Sequence, residues 1–344
     1  VSGYLIGFSL GQLVWGPISD RFGRRKPIAI GVVIFTLGSV GCAMAGSLTM
    51  LIGWRLVQAF GACAGVVLSR AMVRDLYSGD EAARMISTLM VAMGVAPLLG
   101  PIVGGQMLAV AGWRPIFWTQ VAAGGVILGA VLILPETLAI TRRQTSSLLQ
   151  IVSRYGGLLF HRRFMANTCA GGFFFFGTFA YVAGSPFAYI TYYHVPPGLY
   201  GFLFGAGIIG VMTGSFVNAR LVTRFGAARL LYGGSLIGML AGVVLALTSR
   251  TDIGGFAGLF IPLLVYVSMT GLVIANSFAG ALAEFPAMAG SASALVGALQ
   301  YGSGMLGTAL VGWFADGTPW PLGCIILAAG IGSVVCARLV RHWS

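Results

Sequence analysis

Long apolar runs alternate with short polar loops along the whole of this chain. A bilayer crossing needs about 20 mainly apolar residues. Eleven runs qualify, near 1–19, 28–46, 51–73, 86–110, 115–135, 164–190, 199–219, 229–248, 256–282, 291–313 and 319–337. Their length, and the lack of ten-residue alternating segments, predict membrane helices rather than barrel strands. The longest polar stretch, about 136–163, separates five spans from six. It predicts an N-terminal helix bundle over 1–135, a cytoplasmic linker over 136–163 and a C-terminal bundle over 164–344.

The cations orient this map. Arg21, Arg24, Arg25 and Lys26 stand in the first loop, and loop Lys and Arg mark the cytoplasmic side. With that loop inside, further cations at 70–84, 142–163, 220–229 and 338–341 also fall inside, leaving Arg114 and Arg250 outside and Arg55 within a span. The C-terminus is then cytoplasmic and Val1 outside. Because the chain opens inside an apolar run, without Met or a signal peptide, one helix more is expected upstream, so that eleven of twelve are present.

Only 8% of the residues are charged, against about a quarter in soluble domains, and 58% are hydrophobic. A net charge of +12 does not imply nucleic acid, which needs cations on one soluble face; here they sit between apolar runs. The five cysteines, Cys42, Cys63, Cys169, Cys324 and Cys336, lie inside apolar segments at no metal-like spacing, as packing residues do. No HExxH, CxxC or Walker loop occurs, so neither metal, cofactor nor ATPase activity is expected. GAGIIG at 205–210 and GSGMLG at 302–307 follow no strand and read as helix-packing glycines. No nucleophile and base, or pair of acids, shares a depth, so an enzyme is not expected.

Loop chemistry is concentrated in GPISDRFGRRKP at 16–27. Gly16 and Gly23 permit close approach or a sharp turn, and Asp20 places a carboxylate among Arg21, Arg24 and Arg25. A fainter copy, NARLVTRFGAAR at 218–229, matches Arg21, Phe22 and Gly23 to Arg224, Phe225 and Gly226, with Thr223 in place of the acid. Two related halves are a recurrent transporter design. Arg70, Arg74 and Asp75 close the third span near enough to form a charge network with the first loop; a solvated helix end is the alternative for Asp75 and the plainer reading of Asp80 and Glu81.

Within the spans, Arg55 is costly and should face a cavity or polar partner, or else snorkel outward. Gln58 shares its helix face, and Gly61 follows. Gly94, Pro97, Gly100, Pro101, Gly104 and Gly105 crowd GVAPLLGPIVGG at 94–105, which predicts a bent, tightly packed span. Tyr4, Phe8, Phe179 and Tyr181 are candidate cavity residues, as are Tyr189, Asn276, Gln300 and Tyr301, although any single aromatic can equally be core or lipid-facing. The FFFF run at 173–176 circles its helix and must partly meet lipid. His161 and His342 lie near basic ends, and His194 at an outer one.

The loop motif, RLVQAFGACAG at 55–65, GVAPLLGPIVGG at 94–105 and EFPAMAGSASALVG at 284–297, with SPFAYITYYHV at 185–195, together resemble the major facilitator superfamily and, within it, the Bcr/CflA-type bicyclomycin-resistance exporters. The resemblance implies an all-α polytopic two-bundle fold. It also implies a conformational gate at Asp20, which meets the start of the penultimate helix near Ser291 and favours the outward-open state. Arg55 would take part in proton coupling, and GVAPLLGPIVGG would limit leak. Similar exporters carry a coupling acid on their first helix, which has no counterpart here.

The expected function is proton-coupled efflux of small, largely apolar drugs or metabolites across a bacterial inner membrane by alternating access, with the proton gradient as energy source. The alternatives are an uptake symporter or facilitator, or a non-transporting truncated membrane protein. The expected partners are the transported small molecule, protons and membrane lipid, with no nucleic acid, and the chain is expected to be a monomer.

Overall fold

A computed structural model describes residues 2–77, 81, 85, 89, 95, 99–100, 103–108, 110–143, 148–285 and 288–342. Among these no strand occurs. The helices are α1 (Ser2–Phe22), α2 (Arg25–Ala43), α3 (Leu48–Leu76), α4 (Arg114–Ile133), α5 (Leu148–Leu159), α6 (Arg162–Pro186), α7 (Pro197–Phe225), α8 (Ala227–Thr251), α9 (Gly255–Ala283), α10 (Ala289–Trp313) and α11 (Trp320–His342). A short π-helix, Phe187–Tyr192, prolongs α6.

Nine described helices are long and apolar enough to cross a membrane. They answer to nine of the eleven expected spans. The first expected span is helical as α1 but is not among the nine, since its last turns carry Asp20 and Arg21 and its apolar residues are diluted by Ser, Gly and Gln. The fourth, 86–110, lies largely outside the described residues, and so the count of eleven is not established.

Local chemistry sets the helix ends. Gly23 at φ +91° and Gly226 at φ +80° stop α1 and α7 in the left-handed region that favours glycine. Ser47 caps α3 by accepting from Met50 N at 3.2 Å. His161 does the same for α6, its Nδ1 accepting from Phe164 N at 3.3 Å. Proline enters α4 and α7 in the first turn, where its missing N–H costs nothing.

The chain divides into two compact units, one of Gly3–Ala96 with Val103–Gly156 and the other chiefly Gly157–Ser344. In the first, α2 packs on α3 and α4. Small residues bring the backbones together, as membrane helix pairs require. A Cβ on Gly61 would lie 2.5 Å from the Gly31 carbonyl oxygen, and one on Gly38 2.6 Å from the Gln58 Cα. Trp15 donates its indole N–H to Phe60 O at 2.7 Å and so ties α1 to α3.

In the second unit α6 packs against α9, α10 and α11, and α8 against α9 and α11. Its core is built on Phe174 and Tyr266, both wholly buried, with rings stacked at 4.4 Å. The Tyr266 hydroxyl donates to Phe174 O at 3.2 Å, which satisfies the only polar atom on that ring. Phe173, one step round the helix, is 42% exposed, so the FFFF run does present one member outward.

Close helix contact at Gly307 generates a prediction. Its Cβ position is filled by the Phe176 backbone of α6, whereas Gly312 on the same helix has no described atom within 4 Å. Gly307→Ala should destabilise the purified protein by about 1–3 kcal/mol, read as a lowered Tm in detergent, while Gly312→Ala leaves Tm unchanged. Equal Tm values for the two variants would refute this packing account.

Candidate functional site

The first loop folds around Arg24. Because α1 stops at Gly23 and α2 starts at Arg25, the Arg24 side chain turns back into the first unit and is only 7% exposed. A guanidinium there needs acceptors on all sides. Its Nη1 lies 2.6 Å from Asp20 Oδ1 and 2.6 Å from Ser19 Oγ, and its Nε 2.8 Å from Asp75 Oδ2. Burial acts to lower the Arg24 pKa, but the bonds to Asp75 and Asp20 outweigh it and raise the value. Arg24 thus joins Asp20 at the end of α1 to Asp75 at the end of α3.

Arg70 Nε is buried without a hydrogen-bond partner among the described residues, and the Arg74 side chain lies outside them. Arg21 rests on the Phe22 ring at 5.5 Å. Gly16 lies within α1 and has no described atom within 4 Å of a Cβ position, so close approach at this turn falls to Gly23 alone.

Glu136 completes the cluster. Its Oε1 accepts from Arg24 N at 2.7 Å and Leu138 N at 3.1 Å, and its Oε2 from Arg25 N at 3.2 Å. The carboxylate sits at the exposed amides opening α2, where the helix dipole favours an anion. Arg25 also donates to Leu132 O. A Cβ on Gly23 would lie 2.8 Å from Glu136 Cδ, so the glycine serves both its own φ and the carboxylate's approach. Burial pushes the Glu136 pKa up, yet the Arg24, Leu138 and Arg25 amides and the Arg143 charge together hold it below the usual carboxylate range. Nearby, Tyr155 of α5 donates to Leu13 O at 3.3 Å; its burial, with Asp20 close by, pushes the phenol up to about 12.

The second polar group lies deeper in the same unit. Arg55 Nη1 donates to Gln58 Oε1 at 2.7 Å, and the guanidinium lies over the rings of Tyr4 at 4.5 Å and Phe117 at 5.7 Å. Gln58, wholly buried, donates to Ser39 Oγ at 2.7 Å and to Gln120 Oε1 at 2.6 Å. Arg55 thus has a polar partner on its own helix and two aromatic faces. Gly61 lies on the α2 contact already described. Tyr4 also stacks on Phe8 at 6.2 Å.

Of the candidates in the second unit, Phe179 and Tyr301 meet with Phe175 in one aromatic cluster. Tyr181 and Tyr189 belong to that unit's hydrophobic core, 3% and 1% exposed, with Tyr181 stacked on Phe204. Asn276 donates to Asn218 Oδ1 at 2.5 Å, and Gln300 to Ser277 Oγ at 3.3 Å. Gly94, Pro97 and Pro101 lie outside the described residues. Gly100, Gly104 and Gly105 are helical, with no described atom within 4 Å of their Cβ positions.

Several residues here escape a reading of the sequence. Glu136 carries only the signal of an acid directly after a span. Ser39, Gln120 and Asn218 carry that of a lone polar residue in an apolar run, where hydrogen bonding is strongly demanded. Among the described residues no group of His, Cys, Asp and Glu is suited to a metal.

Comparison with known proteins places this architecture. A family model described as Major Facilitator Superfamily matches residues 1–308. An uncharacterized MFS-type transporter, YdgK of Bacillus subtilis, is 39% identical over 342 residues, covering 98% of this chain and 85% of that protein. The bicyclomycin resistance protein homolog of Haemophilus influenzae is 31% identical over 335 residues, covering 95% and 84%. The crystal structure of a D-xylose-proton symporter superposes with a TM-score of 0.74 at 19% identity, covering 99% and 85%, a likeness of fold. The chain belongs to the major facilitator superfamily and is a multi-pass membrane transport protein, not an enzyme.

The lowered Glu136 pKa has a directional consequence. A carboxylate held below its ordinary value stabilises the folded chain above about pH 4.3, and that contribution is lost as pH falls through the lower folded value. Glu136→Gln should therefore lower Tm at pH 7 and shrink the Tm difference between pH 7 and pH 3.5, measured in detergent. An unchanged pH difference would contradict the capping role.

Proposed function

We propose that this chain exports small, largely apolar drugs or metabolites across the bacterial inner membrane in exchange for protons, by alternating access. The observation that carries the reading is Arg55, an intramembrane charge held by one amide and two aromatic faces. A fixed cation in such a setting marks a pathway for ions or polar groups. Support for a drug as cargo comes from the relative named a bicyclomycin resistance protein homolog.

In this reading Asp20, Arg24 and Asp75 form the conformational gate. The Asp20 side chain is the most exposed of the three, 36% against 9% for the Arg24 side chain and 16% for that of Asp75, so it is the acid best able to change partners. It can hold Arg24 in one state and engage the start of α10 in another. The proton gradient is the energy source; the linker and C-terminus face the cytoplasm.

Accumulation of ethidium, chloramphenicol and bicyclomycin in exporter-deficient bacteria tests this. The gene product should lower accumulation of at least one, and a proton uncoupler should restore it to the level of cells with empty vector. Asp20→Asn should reduce efflux at least about fivefold at equal membrane abundance, the lower end of a 1–3 kcal/mol coupling. Probe movement down its own gradient, indifferent to uncoupler, would identify a facilitator. Labelling of a cysteine placed at position 145 by an impermeant reagent outside intact cells would overturn the orientation.

A further inference from the structure

We infer that Gln120 is a positioning residue for Arg55, acting through Gln58, and that the oxygen of its amide is what it contributes. The inference rests on the coupling role proposed for Arg55, and its starting point is the bookkeeping of donors. An arginine side chain only donates. Whatever Gln58 turns toward Arg55, at 2.7 Å, must be its oxygen. The Gln58 amide hydrogens then point the other way, to Ser39 Oγ and Gln120 Oε1 at 2.7 and 2.6 Å.

Ser39 cannot relax this arrangement. Its hydroxyl hydrogen is already given to Phe35 O at 2.8 Å, so toward Gln58 it serves as an acceptor. Gln120 is the remaining variable. If it offered its amide nitrogen instead, two donors would face each other at a wholly buried residue, and Gln58 could escape only by rotating and presenting its own N–H groups to Arg55. An unmade hydrogen bond at such a site is expensive. The direction of the hydrogen-bond chain is thus fixed at Arg55, which only donates, and Gln120 on α4 completes it by offering its oxygen.

The packing shows why three helices can share these side chains. Gly38 lets α2 lie against the Gln58 backbone, and Gly124, one turn along α4 from Gln120, faces Thr36 of α2. A displacement of α4 that withdraws Gln120 would free a Gln58 donor and loosen the acceptor beneath Arg55.

Three substitutions separate polarity from bulk: Gln120→Glu keeps an acceptor, Gln120→Leu removes it, and Gln120→Lys replaces it with a donor. Two readouts are taken at equal abundance. The first is the rate of Arg55 modification by phenylglyoxal in membranes, mapped by mass spectrometry. The second is the pH dependence of uncoupler-sensitive efflux of ethidium, chloramphenicol and bicyclomycin. Relative to wild type, Gln120→Glu should modify within twofold, Gln120→Leu at least fivefold faster, and Gln120→Lys faster again. Efflux should keep its pH profile in the Glu variant and lose it in the other two. Equal modification rates for all three, or a Lys variant as protected as the Glu variant, would overturn the inference. The predicted order of modification among the variants, together with a wild type that exports none of the probes, would support the positioning of Arg55 while refuting the proposed export.

Discussion

A guanidinium turned into a helix bundle has to be neutralised where it lies, and the end of the first unit that carries the α1–α2 turn is organised around meeting that demand for Arg24. The residue is 7% exposed and draws on Ser19 and Asp20 from α1 and Asp75 from α3. Glu136, from the segment after α4, holds the backbone amides that open α2. Three stretches of chain, the end of α1, the end of α3 and the segment after α4, thus converge on a two-residue turn. Removing one partner from such a group leaves a buried charge uncompensated, which costs far more than the pair contributes when intact. That asymmetry makes a charge cluster a suitable two-state element: it is stable when complete and strongly disfavoured when partly broken.

The second unit repeats the turn without the charge. Phe225 and Gly226, at φ +80°, end α7 as Phe22 and Gly23 end α1, yet Ala227 and Ala228 stand where Arg24 and Arg25 would be, and Thr223 where Asp20 would be. At the start of α6 a different pair occurs, Arg163 and Glu284 at 3.1 Å, with His161 packed edge-on against Phe285 at 4.9 Å. The backbone solution is therefore shared by both copies, and the electrostatic one belongs to the first.

Much of this was legible in the sequence, for identifiable reasons. Membrane helices announce themselves through length and apolarity, and nine expected spans match helices of the structure. A charged loop with paired glycines drew attention to Asp20, Arg24 and Gly23 because each has a local physical signature. What stayed hidden depended on contacts distant in the chain. Glu136 meets Arg24 across 112 positions, and nothing in its neighbours specifies that partner. Gln120 and Ser39 became significant only once Gln58 lay between them. Tyr181 and Tyr189 show the same limit from the other side, since an aromatic in a span carries no mark of which face it occupies, and these two lie in the core of their unit.

The most direct measurement is a double-mutant cycle on Arg24→Gln and Asp75→Asn, read as unfolding free energy of the purified protein in detergent. If the charges act as one group, the double variant should lose less than the summed single losses, with an interaction energy of about 0.5–3 kcal/mol. Losses that add to within about 0.3–0.5 kcal/mol would show that Arg24 and Asp75 are independent, and would contradict the claim that this cluster organises the unit.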